Sequence, residues 1–198
     1  MTVVVRQATA RDVEVAVPLL LDAAERLLTS IFGNGNRDEA FAFLFAAWLR
    51  GTGQYGFENH WLACVDDNIV GIASCWHDAL PEHFDRDTLN AITDYFGIDE
   101  ALEVVIRSQE HAIALHSPLV LEMGIGHLAV AAGARRSGVG TALVRYMECK
   151  ARKLGKLSLV LDVEAQNLGA LRFYEALGFV GQQSFAPFIT MKKGVAPL

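Results

Sequence analysis

Residues 119–163 constrain the fold more than any other part of the chain. A β-rich apolar run (119–130) enters a basic, glycine-rich turn, Ala134-Arg135-Arg136-Ser137-Gly138-Val139-Gly140-Thr141. Val139, Leu143, Tyr146, Met147 and Leu154 then recur at helical spacing. This predicts a strand, a tight turn and an amphipathic helix over 138–154 that stops at Gly155. The following run, KLSLVLDV (156–163), is nearly continuous in apolar residues, as expected of a central strand covered on both faces. A second helix is expected over 169–177, with Ala170, Phe173, Tyr174 and Leu177 inward, and a last strand over 185–191. Strand, glycine turn, helix, strand, helix, strand is mixed α/β.

The first half reads less regularly. Residues 3–8 form a strand pattern, and Thr9 with Asp12 three residues on resembles a capping box. Pro18 is expected to kink or divide the helix that follows, before Leu28. After the turn-like GNGN at 33–36, the stretch DEAFAFLFAAWLR (38–50) is apolar on nearly every face. It is read as a buried helix, with a subunit interface, and so a homodimer, as the alternative cover. Residues 61–65 and 69–76, joined by Asp66-Asp67-Asn68, predict a β-hairpin. From 77 to 116 the character changes to nine acidic residues against two basic ones, with helix-like stretches at 87–96 and 99–116. We read it as a helical insertion, functional or lid-like, within a single domain spanning 1–198.

With 198 residues, 52% of them apolar, the chain can bury a substantial core without disulfides or a metal. Cys64, Cys75 and Cys149 are odd in number and sit in apolar patterns, so they are expected to be small core residues. The opening MTVVVRQATARD has too short an apolar run for a signal peptide, and no apolar run approaches the roughly 20 residues of a membrane span. The expectation is a soluble, cytoplasmic protein with no membrane partner and no metal. A formal charge of −6 argues against nucleic acid, yet residues 135–156 carry a local +6. That basicity around the turn fits a small phosphorylated ligand, or a solvated helix face.

Amides at the start of a helix lack intrahelical partners and carry the positive end of its dipole, so phosphate oxygens bind there. Glycines at 138 and 140 remove side chains that would keep a phosphate away. The N–H groups of Arg136, Gly138, Val139, Gly140 and Thr141 could surround a pyrophosphate, with Arg135 and Arg136 adding charge. A Walker A loop is excluded because Thr141-Ala142, not Lys-Ser/Thr, follows Gly140; a dinucleotide fingerprint is excluded because Leu143 stands at the third glycine position.

What fits is R-x-x-G-x-G (Arg135 to Gly140) after a strand ending Leu128-Ala129-Val130, followed about 30 residues later by N-x-x-A-x-x-x-Y-E-x-x-G-F from Asn167 to Phe179. Together these resemble the GNAT superfamily of acyl-CoA N-acyltransferases, closely over 119–179 and not at all over 77–116. The resemblance implies a mixed sheet flanked by helices, with acetyl-CoA as co-substrate and no metal. Its pyrophosphate would be held by main-chain amides around Arg135, Arg136, Ser137, Gly138, Val139, Gly140 and Thr141. Its pantetheine arm would lie along Leu128, Ala129 and Val130 like an added strand. Asn167 falls where the family often places a polar group near that arm, and it also reads as an ordinary helix cap. Tyr174 falls where the family commonly has a tyrosine that protonates the leaving thiolate.

The implied reaction is N-acetyl transfer to a small-molecule or peptide amine by direct attack, the oxyanion held by an N–H near Val130. Some family members carry a glutamate base in the strand, at the position aligned here with Gly124. Glu122 and His127 are the alternative bases offered by this sequence. The charge of −7 over 77–116 makes a cationic amine one candidate acceptor, against two helices with merely solvated acidic faces. A catalytically silent acyl-CoA-binding module of the same fold is the reading from another functional class.

Overall fold

The structure, a computed structural model, describes residues 2–182 and 186–196. These residues form two compact units. One comprises residues through Ser74, Pro81–Gln109 and His127–Leu143; the other comprises Cys75–Leu80, Glu110–Gly126 and residues from Val144 onward.

In the first unit, β1 (Val4–Gln7), β2 (His60–Val65) and most of β3 (Asn68–Trp76) pair antiparallel, with Val4 opposite Cys64 and Trp61 opposite Ala73. The β2–β3 turn needs two residues at positive φ, and Asp66 (48°) and Asp67 (62°) supply them; aspartate tolerates this region better than most side chains. The helices are α1 (Val13–Ala23), α2 (Glu25–Gly33), α3 (Arg37–Arg50) and most of α4 (Phe84–Ala112). Thr9 opens the first helical turn as its sequence predicts, its N–H donating to Asp12 Oδ2 at 2.7 Å.

The helix is in two pieces before Leu28, as expected, but it does not break at Pro18. The proline lies inside α1, and the break falls at Ala24 (φ −148°, ψ 46°). The hydrogen bond that Pro18 forgoes would have ended on the carbonyl of Glu14, an exposed residue, so water can take its place. α2 ends in left-handed Asn34, and Asn36 Oδ1 caps α3 by accepting from the N–H groups of Asp38 (3.0 Å) and Glu39 (3.4 Å). Gly97, at φ 75° and ψ 167°, interrupts α4 between the two expected helical stretches. Leu20, Leu21, Phe43, Leu44, Trp48, Leu62 and Ile72 are fully buried, and the rings of Phe32 and Phe43 stack at 4.2 Å.

In the second unit, β4 (Glu122–Val130) pairs parallel with β5 (Ser158–Glu164) from Glu122↔Ser158 to Gly124↔Val160. β5 pairs antiparallel along its whole length with β7 (Phe188–Gly194), which also carries the two-residue β6 (Val180–Gly181). The helices are α5 (Val139–Lys153), which begins in the first unit, and α6 (Leu168–Ala176). α5 stops at Gly155 (φ 69°), where the N–H of Lys156 reaches the Ala151 carbonyl at 2.9 Å.

The last strand runs Phe188–Gly194, later than predicted, and Phe185 lies outside the described residues. Cys149 is exposed, which corrects its reading as a core residue; Cys64 and Cys75 are buried. Two positions away on either side, Met147 and Ala151 are fully buried, and a helix turns about 200° over two residues, so Cys149 faces away from them. Among the described residues, seven strands in parallel and antiparallel pairs, with helices, make the α/β mixed-sheet class read from the sequence.

Candidate active site

In the first unit, β4 ends at Val130, a short helical turn covers Ala132–Ala134, and Arg135–Gly138 lead into α5. The Ala131 N–H donates to the Val70 carbonyl at 2.9 Å, and Arg135 Nε donates to the Val130 carbonyl at 3.2 Å. Arg136 (φ 61°) and Gly138 (φ 89°) both lie in the left-handed region. Such alternation turns successive N–H groups toward one concavity, an anion-binding arrangement. Residues 135–138 are exposed, Val139 is buried, and Gly140 and Thr141 are half-buried. A Cβ on Gly138 would meet nothing within 4 Å, so the space beside the turn is open and φ alone demands glycine there. The first backward bond at this helix start runs from Ala142 N–H to the Gly138 carbonyl, ahead of which the amides of 139–141 lack helical acceptors. Gly71 on β3 permits the packing: a Cβ there would stand 2.9 Å from Val139 Cγ1 and 3.2 Å from the Ala129 carbonyl oxygen.

His127 stands where β4 enters this unit, at φ 46°, with Nδ1 3.0 Å from Ser74 Oγ. Its ring centroid is 5.8 Å from that of Tyr55 and 6.1 Å from that of His60. His60 Nδ1 lies 2.8 Å from the Gly56 carbonyl. Since a carbonyl only accepts, Nδ1 carries the proton and Nε2 the lone pair. Burial pushes His60 down to about 4, the Gly56 hydrogen bond opposing it, and burial together with neighbouring His60 pushes His127 down to about 3. Both imidazoles are neutral at neutral pH. Burial raises the Tyr55 hydroxyl, which stays protonated. His60, Tyr55 and Ser74 were not among the sequence candidates; a histidine before an apolar strand carries no signal of burial.

The second unit holds the remaining candidates. Glu122 is buried; Oε2 lies 2.7 Å from His116 Nε2 and accepts from the Leu119 N–H at 3.1 Å, while Oε1 accepts from Lys192 Nζ at 2.6 Å. Burial works against ionisation here, but the hydrogen bonds outweigh it and hold the carboxyl down at about 2. Asp162 extends the network, accepting from the His116 N–H (2.8 Å) and Thr190 Oγ1 (2.6 Å). With both oxygens engaged and so low a proton affinity, Glu122 is chemically an anchor for the segment entering β4. At Gly124, a Cβ would stand 2.8 Å from Pro118 Cγ, so this strand has little room for a side chain at that position. Tyr174 is buried with its ring 5.0 Å from Phe173 and 5.5 Å from Phe179, and burial raises its hydroxyl, leaving it protonated and able to donate. Asn167 caps α6, Oδ1 accepting from the Ala170 N–H at 3.0 Å.

The structure thus gathers His127, Leu128, Ala129, Val130 and the 135–141 turn in one unit, and Glu122, Asn167 and Tyr174 in the other. Among the described residues, no group of three or more His, Cys, Asp or Glu side chains is placed to hold a metal ion. None of the described helices is long and apolar enough to cross a membrane.

Solved structures share this fold. An N-acetyltransferase from Staphylococcus aureus Mu50 matches at 14% identity and a TM-score of 0.69, over 96% of this chain and 100% of its own. A second crystal structure, described as an acetyltransferase, matches at 20% identity and 0.65, over 98% and 100%. The PaiA N-acetyltransferase from Thermoplasma acidophilum, solved in complex with coenzyme A, matches at 15% identity and 0.54, over 98% and 99%. The fold is therefore one used by acetyltransferases. The sequence profile of the acetyltransferase (GNAT) family matches residues 21–179, and the chain belongs to that family. No curated protein matches it.

Proposed function

We propose that this protein transfers an acetyl group from acetyl-CoA to a primary amine. The observation that carries the reading is the turn from Arg135 to Gly138: exposed, doubly basic, left-handed at Arg136 and Gly138, and opening a 15-residue helix. Family membership and the coenzyme A bound to the Thermoplasma acidophilum protein support it. In this reading the amides of Arg136, Ser137, Gly138, Val139, Gly140 and Thr141 hold the pyrophosphate, with charge from Arg135 and Arg136. The backbone of Leu128, Ala129 and Val130 pairs with the pantetheine arm, and Asn167 lies near it. The amine attacks the thioester carbonyl, nitrogen releases one proton as the C–N bond forms, and the C–S bond breaks, sulfur gaining one proton, so the step is balanced overall. An N–H near Val130 holds the oxyanion, and the Tyr174 hydroxyl donates its proton to the departing thiolate. Acetyl-CoA supplies the activated acyl group; the protein supplies position and protons.

Calorimetry with coenzyme A tests the cofactor half. Gly138→Val, which forces a β-branched residue to φ 89°, is expected to weaken binding at least about tenfold without unfolding the protein. Free thiol released from acetyl-CoA across an amine panel tests the other half. Absence of binding heat from folded protein refutes the reading. Tight binding with no thiol from any amine identifies a silent acyl-CoA-binding module instead.

A further inference from the structure

His60 and His127 stack within the first unit, their planes within 25° of each other. His60 is fully buried and its Nδ1 is committed to the Gly56 carbonyl, while its Nε2 is buried with no hydrogen-bond partner. A buried acceptor in that state is destabilising, and a ligand's N–H or O–H would relieve it. His127 is half-buried, and a histidine at φ 46° carries backbone strain of the kind that gathers at functional sites. The surroundings are the Trp48 ring 5.0 Å from His60, the Tyr55 ring beside His127, the Ser74 hydroxyl and the Gly56 carbonyl. Among these contacts of the two rings, none is with a carboxylate that would compensate a positive charge.

We propose that His60 and His127 form a paired-imidazole subsite that accepts the N–H of an uncharged amine, and that the acetyl acceptor is a weakly basic amine such as an arylamine or a hydrazine. The proposal rests on the acetyl-transfer reading and names its substrate class. Uncharged amine attacks with its own lone pair; nitrogen loses one proton as the C–N bond forms, and sulfur gains one as the C–S bond breaks, so the step balances without prior removal of a proton. An imidazole held at about 4 could not strip an alkylammonium of pKa about 10, whose proton affinity is about a millionfold higher. The acidic segment over 77–116 offers less to a cation than its composition implies. Asp78 pairs with Lys156, Asp94 with Arg50 and Glu100 with Arg107.

The test is a steady-state comparison of an arylamine with its arylmethylamine counterpart, read as thiol release at saturating acetyl-CoA. The arylamine is expected to be favoured at least about tenfold in kcat/KM. His60→Phe should raise the amine KM about tenfold or more while leaving the acetyl-CoA KM and coenzyme A binding heat unchanged. His60→Gln, which retains an acceptor, should recover part of the loss and serves if the Phe variant does not fold. With coenzyme A binding intact, preference for alkylamines or polyamines, an amine KM insensitive to His60, or no arylamine turnover each overturns this proposal. Absence of coenzyme A binding overturns the acetyl-transfer reading itself.

Discussion

Acidification should destabilise the fold through His60, by an amount its burial sets. The imidazole ordinarily titrates at 6.5 and burial pushes it down to about 4 in the folded protein. Between those values the unfolded chain binds the proton and the folded protein does not. Stability is therefore complete above 6.5, falls as pH drops through 6.5, and the loss levels off below about 4. At 1.36 kcal/mol per pKa unit the full loss is about 3.4 kcal/mol, and about 2 kcal/mol of it is reached by pH 5. His127, held at about 3, acts in the same direction. Glu122, held below its ordinary 4.5, loses its contribution as pH falls further, so measurements between pH 7 and pH 5 keep it largely out. Urea unfolding followed by tryptophan fluorescence suits the question, with the Trp48 ring 5.0 Å from His60. For a slope of about 2 kcal/mol per molar, His60 should account for roughly 1 M of the midpoint shift between the two pH values. His60→Gln removes that share whatever it does to stability at pH 7. An equal pH-dependent loss in a folded Gln variant would refute the reasoning.

Gly126→Ala places a Cβ 1.7 Å from Trp76 Cζ3, and overpacking against a rigid ring should cost about 1–3 kcal/mol or more, seen as a fall of roughly 5–10 °C in Tm. Thiol-specific labelling of folded protein should modify Cys149 at once and spare buried Cys64 and Cys75 until denaturant is added, as peptide mapping would show. Tyr174→Phe is expected to lower kcat at least about a hundredfold with little change in the acetyl-CoA KM; a loss confined to KM would mean the hydroxyl serves binding.

The glycine turn and the helix after it were legible because local chemistry dictates them: positive φ at Gly138, and Val139, Leu143 and Met147 buried along one helical stripe. The break at Gly97 between the two helical stretches of the insertion and the cap at Asn167 follow from single residues in the same way, whereas the cap at Asn36 reads from the sequence only as part of a turn. The division before Leu28 was legible but its place was not, because the cost of a proline depends on whether the carbonyl it abandons can reach water, which neighbouring residues do not encode. Cys149 misled because an apolar composition nearby does not say which face of a helix a small residue occupies. His60 was invisible because its burial is long-range, set by Trp48 and Gly56 and by the strand opposite.

The position aligned with a family glutamate shows how such long-range packing bears on mechanism. Gly124 could be read from sequence as the loss of a base. In the structure, Pro118 Cγ would stand 2.8 Å from a Cβ there, too close without a shift, and the carboxylate two residues earlier is bound by His116, Lys192 and the Leu119 N–H. A strong base is thus missing from both strand positions for one steric and one electrostatic reason. Under the acetyl-transfer reading, the candidate left on this strand is His127, held at φ 46° within β4, and a neutral imidazole of low proton affinity would suit an amine that needs no deprotonation before it attacks.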